Sequence, residues 1–345
     1  MRSRQSSSFN DDNSIHRARP GFQLMPIPGP RTSYINLPTA SQLPANVLFA
    51  VTFGGEAAPD SPRSVRVNLE PLAGAGLTEV WYANSEVVAG AEGRIRFAAD
   101  DHFLAGVIEV DERDHGGIEA ATKSAYAAIA EFQASSRFPH LLRTWNYFDA
   151  INRGTGDAER YREFCTGRVA GLAAMKQAQF PAATVIGRRD GHPVLQVYWL
   201  AGRLPGIAIE NPRQLSAYRY PRQYGQTPPT FSRAMLVASH VLMISGTASI
   251  VGHASQHTGS VAAQVDEILA NLDRLLAPAR AHAPALPAIL GRTSLIKAYV
   301  RNRADLPVVE SKLRAHLPDT PHLILHGDVC RTDLLVEFDC LHTAA

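Results

Sequence analysis

Two parts of this chain carry the same order of predicted strands and helices, and this repeat limits the possible folds more than any other feature. In each part a strand hairpin is followed by a helix, a strand, a second helix and two closing strands. The predicted helices cover residues 117–133 and 160–174 in the first part, and residues 260–276 and 308–316 in the second. The repeat therefore predicts an α/β (α+β) fold with two tandem β-β-α-β-α-β-β units, mixed sheets and helices packed on one face.

Length and composition set the scale of the domains. The chain has 345 residues, of which 45% are hydrophobic, so it can bury the cores of one large or two ordinary domains. Residues 1–45 are polar and rich in proline and serine, and we expect a mostly disordered tail there. We expect an N-terminal domain over residues 46–137 and a C-terminal catalytic domain over residues 138–345, with the second repeat unit at 233–340.

Charge and cysteine content argue against several classes of function. The formal net charge is +2, which favours neither nucleic acid nor an anionic membrane surface as a partner. No apolar run is long enough to span a bilayer, and the N-terminus lacks the apolar core of a signal peptide. Three cysteines, Cys165, Cys330 and Cys340, form no CxxC pair, which favours a reducing, cytoplasmic location.

A carboxylate stands among apolar residues in the predicted last strand, residues 333–339. The alternation of a strand places Glu337 on one face with Leu335 and Asp339. Burial without a partner raises the pKa of a carboxyl group, and a raised pKa keeps a proton available for general acid catalysis near neutral pH. A solvent-exposed glutamate on an edge strand is the alternative interpretation.

The two units can be aligned by their closing strands. The spacing from Gly187 to Val197 equals the spacing from Gly327 to Glu337. We therefore expect Val197 of the first unit to occupy the position that Glu337 occupies in the second. An apolar residue in place of the acid indicates that one unit is structural and that the other carries the chemistry.

The segment between the units, residues 217–229, concentrates three tyrosines, two arginines and three prolines. We call it the linking loop. A plain surface linker is one interpretation. Its aromatic and cationic content favours a second one, a stiff functional loop on a rigid scaffold.

Each unit resembles the YjgF/RidA fold, most closely at residues 242–248, 264–272 and 334–337. That family forms trimers with small-molecule sites between subunits, and it includes imine and enamine hydrolases. Its carboxylate-binding arginine follows a Pro-Ala pair on the penultimate strand. Neither residues 181–183 nor residues 321–323 contain this arginine, which argues against plain imine deamination.

Seven further stretches are specific when taken together in their order and spacing. They are residues 146–152, 159–165, 167–168, 180–184, 218–225, 245–253 and 327–331. Through them nearly the whole chain resembles the chorismatase family, which includes the 3-hydroxybenzoate synthases. The resemblance implies that Glu337 is the catalytic acid and that Cys330 is the cysteine of members that make 3-hydroxybenzoate. It further implies four substrate-binding residues, which are Tyr161, Arg168, Tyr220 and Arg233.

The implied reaction is cleavage of the enolpyruvyl ether of chorismate to pyruvate and 3-hydroxybenzoate, with 4-hydroxybenzoate as a second candidate isomer. No cofactor is needed, because the electron-rich alkene belongs to the substrate. The alternatives are a hydrolytic chorismatase that forms 3,4-dihydroxycyclohexa-1,5-diene-carboxylate, a RidA-type imine or enamine hydrolase, and a ligand-binding protein without activity. Because one chain already contains two units, we expect a monomer.

Histidine pairs are the remaining candidates for a chemical site. His253 and His257 are four residues apart, as are His322 and His326. This spacing suits zinc on a helix. The first pair lies in a predicted glycine-rich turn and the second on a predicted strand, so we expect no metal site.

Overall fold

The computed structural model of the chain describes residues 28–37, 43–54, 61–175 and 179–344. The first five strands are β1 (Arg31–Asn36), β2 (Val47–Phe53), β3 (Ser64–Val67), β4 (Pro71–Ala73) and β5 (Leu77–Tyr82). Four of them form a sheet in the order β1-β5-β2-β3. Within the described ranges, no helix is both long and apolar enough to cross a lipid bilayer.

Strand β1 lies in the segment for which the sequence predicts a mostly disordered tail. Residues 31–36 pair with β5 in antiparallel register, so the prediction is corrected at these positions. The threonine, tyrosine and isoleucine of this strand have high strand propensity, and pairing with β5 provides hydrogen-bond partners for its backbone. The rest of the predicted tail lies largely outside the described residues.

The first repeat unit forms a six-stranded sheet in the order β10-β9-β11-β8-β7-β6. Its elements are β6 (Val88–Glu92), β7 (Ile95–Ala99), β8 (Phe103–Asp111), α1 (Ile118–Ser135), β9 (His140–Asp149), α2 (Arg160–Leu172), β10 (Ala182–Arg188) and β11 (Val194–Gly202). Strands β9 and β10 are parallel and the other pairs are antiparallel. This sheet joins residues from both sides of the predicted domain boundary at residue 137, because the hairpin β7-β8 pairs with β11.

The second unit forms a seven-stranded sheet in the order β12-β13-β14-β19-β17-β18-β4. Its elements are β12 (Ile207–Ile209), β13 (Ala234–Val237), β14 (Val241–Ala248), β15 (Ile250–Val251), β16 (Ala254–Ser255), α3 (Val261–His282), β17 (Ser294–Val300), α4 (Leu306–His316), β18 (His322–His326) and β19 (Val336–Thr343). Strands β15 and β16 form a separate hairpin. Apart from these added strands, both units show the predicted order of elements and the same spatial order of strands, so the predicted fold class is confirmed.

Helix α3 illustrates how local signals define these elements. Its N-cap is Ser260, as predicted, and the hydroxyl accepts a hydrogen bond from the backbone N–H of Ala263. The helix continues past the predicted end through Pro278, because its buried stripe extends to Ala279. Strand β19 also continues beyond the predicted end to Thr343.

The helices cover one face of each unit, and the opposite faces share a core. One apolar cluster combines residues of the N-terminal sheet with residues of both units, for example Phe49, Trp145, Met243 and Tyr299. Two further clusters hold the helices, with α1 in one and α3 in the other. Three sheets therefore meet in the middle of the molecule, and their inner faces exclude water from every polar group located there.

The predicted alignment of Val197 with Glu337 is wrong by one residue. Tyr147 of β9 pairs with Gln196, and Tyr299 of β17 pairs with Glu337. Strands β9 and β17 hold the same place in the spatial order of the two sheets, and the two tyrosine hydroxyls lie 3.1 Å apart. Val197 instead packs in the cluster that holds α1, on the other face of its sheet. A shift of one residue exchanges the two faces of a strand, and equal spacing along the sequence does not detect it.

Candidate active site

A cavity of about 610 Å³ lies where the first unit, the linking loop and the second unit meet. This volume is within the range of small-molecule sites. Five of the six predicted site residues line the cavity, and these are Tyr161, Tyr220, Arg233, Cys330 and Glu337. They come from α2, the linking loop, the start of β13, the loop before β19, and β19 itself. Residues far apart in the sequence thus form one candidate site.

Glu337 lies at the cavity wall and is only 5% exposed. Burial raises the pKa of its carboxyl group to about 8, and the charge of Asp339 adds to the rise. Arg143 and Arg233 oppose this rise, but they do not cancel it. A pKa of about 8 favours the protonated form of this carboxyl group at neutral pH.

Gly246 makes room for this carboxyl group. The pairing of β14 with β19 shifts register between Ile244 and Thr247, which is the signature of a β-bulge. A Cβ atom at Gly246 would overlap Oε1 of Glu337, far inside van der Waals contact. Glycine therefore permits the close approach of this carboxyl group to the backbone of β14.

Arg233 supplies a buried cation at the cavity wall. Its Nη2 atom donates hydrogen bonds to the backbone oxygen of Leu215 and to the Tyr220 hydroxyl, each at 2.8 Å. The guanidinium lies 5.3 Å from the Phe231 ring centroid and 5.6 Å from that of Tyr220. Within the described part of the chain, Nε of Arg233 is buried without a hydrogen-bond partner. Arg233 is thus held in place and retains a donor that is not used by the protein.

Arg331 is a second cation at the cavity, and it is absent from the predicted site residues. Its guanidinium carbon lies 3.9 Å from the ring centroid of Tyr224 and 5.3 Å from that of Tyr220. Its Nη1 atom donates to the backbone oxygen of His253 at 2.9 Å. The position of Arg331 directly after Cys330 is the signal that could have identified it. Stacking on the tyrosines keeps the planar group in place for a bidentate carboxylate contact.

Arg301 holds the loop that carries Cys330 and Arg331. Its Nη2 atom donates to the backbone oxygens of Val329 and Arg331, at 2.8 and 2.9 Å. Its Nη1 atom donates to Oδ1 of Asp328 at 2.6 Å. One side chain therefore satisfies several backbone acceptors of this loop, which gives two cavity residues a rigid support.

Tyr161 and Cys330 are neighbours in the buried part of the cavity. Burial raises the pKa of the Cys330 thiol to about 12, and the Glu337 carboxyl group adds to this rise. The pKa of Tyr161 is also raised, chiefly by burial and then by Cys165 and Cys330. The backbone oxygen of Cys330 accepts a hydrogen bond of 3.1 Å from Asn152 Nδ2. The raised pKa values keep both groups neutral at pH 7, so each is available as a hydrogen-bond donor.

Arg168 does not line the cavity, which departs from the predicted substrate site. Its Nη1 and Nη2 atoms donate to the backbone oxygen of Thr230 and to Oγ1 of Thr144, at 2.9 and 3.3 Å. Its guanidinium lies 5.0 Å from the ring centroid of Tyr126. Seven residues along a helix amount to about 10 Å, so the face that Tyr161 presents to the cavity continues beyond the cavity before it reaches Arg168.

The first histidine pair has other partners. His253 Nδ1 lies 3.2 Å from the Tyr224 hydroxyl, and His257 Nε2 lies 3.1 Å from Glu267 Oε2. Across the ranges that the structure describes, no three histidine, cysteine or acidic side chains are grouped so that they could hold a metal ion.

Known proteins are similar to this chain in sequence and in fold. The family profile described as "Chorismatase FkbO/Hyg5-like, N-terminal" matches residues 79–201. A protein named chorismatase from Streptomyces hygroscopicus is 37% identical over 271 residues, which cover 76% of this chain and 78% of that protein. A 3-hydroxybenzoate synthase from the same species is 35% identical over 291 residues, which cover 80% of this chain and 84% of that protein.

A solved structure extends the agreement to three dimensions. The crystal structure of a chorismatase at 1.08 Å resolution superimposes with a TM-score of 0.81 and 32% sequence identity. The match covers 91% of this chain and 98% of that one, so it extends over both units. Sequence identity and coverage at this level leave one assignment: the chain belongs to the chorismatase family.

Proposed function

We propose that this chain cleaves the enolpyruvyl ether of chorismate and releases pyruvate, with Glu337 as the general acid. The single observation that carries the proposal is a buried carboxyl group, with a pKa raised to about 8, at the wall of a cavity that is also lined by two guanidinium groups. Relatives named chorismatase and 3-hydroxybenzoate synthase support the choice of substrate.

The charges of the cavity suit this substrate. Chorismate carries two carboxylates, one on the ring and one on the enolpyruvyl group. Arg233 and Arg331 both line the cavity, and each guanidinium is fixed by stacking and hydrogen bonds. We therefore assign the two carboxylates to Arg233 and Arg331, with Arg331 in the role that the family resemblance implies for Arg168. The aromatic rings beneath both cations also provide an apolar surface for the ring of the substrate.

The demanding step is protonation of a carbon atom. The π electrons of the enolpyruvyl alkene take the proton of Glu337 at the methylene carbon, which becomes a methyl group. The ether carbon becomes an oxocarbenium ion, and the new Glu337 carboxylate stabilises it electrostatically. Water then adds to this carbon and gives one proton back to Glu337. The hemiketal collapses as the ether bond breaks, its hydroxyl proton passes to the ring oxygen, and pyruvate leaves. The step needs a proton donor at its start and a negative charge beside the oxocarbenium ion at its end. The buried carboxyl group supplies both, since it is neutral before the step and anionic after it.

A direct assay separates this function from its rivals. Purified protein is mixed with chorismate, pyruvate is measured enzymatically, and the ring product is identified by chromatography. We expect rapid, stoichiometric pyruvate release. An imine or enamine hydrolase would leave chorismate intact and would hydrolyse an imine substrate, whereas a binding protein would retain chorismate unchanged. Either outcome would refute the proposal.

The activity should decline as the pH rises through about 8. Glu337 acts in its protonated form, and burial raises its pKa to about 8 from an ordinary value of 4.5. Below the raised pKa the acid is present, and above it kcat/KM should fall by about tenfold for each pH unit. Initial rates of pyruvate release between about pH 6 and pH 10 measure this limb. A constant rate across pH 8, or a decline already near pH 5, would contradict the assignment.

We further propose 3-hydroxybenzoate as the ring product, with the Cys330 thiol assisting the rearrangement that precedes aromatisation. In Cys330→Ala we expect pyruvate release to continue while the share of 3-hydroxybenzoate falls in favour of the dihydroxycyclohexadiene carboxylate or of 4-hydroxybenzoate. Cys340→Ala is the matched control, because Cys340 is buried in a cluster with α3 and does not line the cavity. Chromatography of the products decides, and an unchanged product ratio in Cys330→Ala would remove Cys330 from the mechanism.

We also propose that the active form is a monomer. The inner faces of three sheets already share one core within a single chain, so the surface that trimeric relatives of the fold bury between subunits is covered here. Light scattering coupled to gel filtration should report the mass of one chain, and the mass of three chains would overturn this view.

A further inference from the structure

A second carboxylate lies deeper than Glu337, in the centre of the molecule. Asp339 follows Glu337 by two residues on the same face of β19 and is 4% exposed. Its Oδ2 atom accepts hydrogen bonds from Tyr299, Thr184 and Trp145, at 2.9, 3.1 and 3.2 Å. The carboxylate is thus fixed by three strands, and it does not line the cavity.

Two buried cations accompany Asp339. Nη2 of Arg143 lies 3.5 Å from its Oδ2 atom, and Nζ of Lys297 lies 3.8 Å from its Oδ1 atom. Lys297 also donates to Oε2 of Glu79 at 2.7 Å. Burial lowers the pKa of Lys297, but Asp339 and Glu79 together outweigh it and raise the pKa above its usual value. Two cations therefore face two carboxylates in a region without solvent.

These four formal charges balance without any contribution from Glu337. The side chains that surround Glu337 from each packed element are Tyr161 of α2, Arg143 of β9, Tyr299 of β17, Arg233 before β13, Cys330 before β19 and Asp339 of β19. Among these described neighbours Asp339 is the one carboxylate. Arg143 is already engaged by Asp339, and we assign Arg233 to a substrate carboxylate. A negative charge on Glu337 would thus lack a cation of its own.

We propose that Asp339 keeps Glu337 protonated, by engaging Arg143 and by placing a fixed negative charge on the same face of the strand. Asp339 is then a positioning residue, since it acts through Glu337 and does not contact the substrate. The inference rests on the proposed function only for its catalytic consequence, because the protonation state of Glu337 can be observed without any substrate.

The test compares infrared spectra of the protein over a pH series. Subtracting the spectrum of the Glu337→Gln counterpart isolates the carboxyl band of Glu337 in each background. In Asp339→Asn the midpoint of this band should fall by about one pH unit or more relative to the unmodified protein, because the nearby negative charge is lost. The side-chain oxygen of Asn can still accept hydrogen bonds from the three donors, so we expect the variant to fold. Thermal unfolding checks that it does.

A second variant moves the midpoint in the opposite direction. Arg143→Gln removes a cation that opposes the rise, so the Glu337 midpoint should increase. Asp319→Asn is the matched control, since Asp319 is an exposed aspartate 3.7 Å from Arg292, and it should leave the midpoint unchanged. If Asp339→Asn does not fold, Arg143→Gln alone decides. A midpoint that stays constant, or that moves in the same direction in both variants, overturns the proposal.

The kinetic consequence is measured separately. In Asp339→Asn the decline of kcat/KM for pyruvate release should begin at a lower pH, in step with the infrared midpoint. If the unmodified protein releases no pyruvate while the infrared midpoints shift as expected, the proposed function fails and the role of Asp339 stands. If pyruvate is released but the midpoints do not move, the role of Asp339 fails alone.

Discussion

Glu337→Gln should reduce the rate of pyruvate release from chorismate by roughly 10²- to 10⁴-fold, the range that general acid catalysis contributes. Gln has the shape of a protonated glutamate and carries no charge, so the cavity keeps its geometry and its electrostatic balance. It has no proton acidic enough to transfer to carbon. Binding of chorismate, measured by calorimetry, should therefore change little while kcat collapses.

A matched substitution controls for effects unrelated to the cavity. Glu92→Gln alters an exposed residue on β6 and should leave both binding and turnover unchanged. Should Glu337→Gln retain more than about a tenth of the activity, the proton must come from another group, since the loss would fall below the general acid range. Loss of chorismate binding along with activity would instead indicate that Glu337 contributes to substrate binding.

Gly246→Ala should be nearly as damaging, although it adds only one methyl group. The new Cβ atom would overlap Oε1 of Glu337, and its three nearest contacts are all atoms of the Glu337 side chain. The carboxyl group would have to rotate away from the cavity, and a displacement of about 1 Å is enough to cost about 10²-fold in rate. We expect kcat to fall by about this factor while the melting temperature changes by a few degrees at most.

Gly291→Ala provides the control for this substitution. A Cβ atom at Gly291 meets no atom within 4 Å, so activity and stability should be unaffected. Rates are measured under saturating chorismate, which separates a defect in the chemical step from weaker binding. A fully active Gly246→Ala protein would show that the Glu337 carboxyl group tolerates displacement, and the proposed need for close approach at Gly246 would be wrong.

The periodicity of the sequence is sufficient to predict the two repeat units. Apolar stripes and alternating strands are local signals, and on their own they predict the four helices and the repeated order of elements. The register between the repeats cannot be predicted in this way. Val197 and Gln196 differ by one position, and only the pairing of Gln196 with Tyr147 shows which of them corresponds to Glu337.

Only the part of the candidate site that leaves a local signal in the sequence can be predicted. Glu337 can be recognised because a carboxylate in an apolar strand is chemically conspicuous. Arg168 lies on the expected face of α2, but helical spacing does not indicate how far along that face a cavity extends. The position of Arg331 directly after Cys330 is a local signal. Its stacking on the linking loop, and the contacts of Asp339 with strands β9 and β17, are long-range and leave no local pattern in the sequence.

The role of Glu337 as a proton donor is tested most directly by titrating its carboxyl group in the unliganded protein, by infrared difference against Glu337→Gln. We expect a protonated carboxyl band at pH 7 that disappears with a midpoint near pH 8, as burial requires. A midpoint close to the ordinary value of 4.5 would mean that Glu337 is a carboxylate at neutral pH. The protein would then have no proton to deliver from this residue, and general acid catalysis by Glu337 would be contradicted.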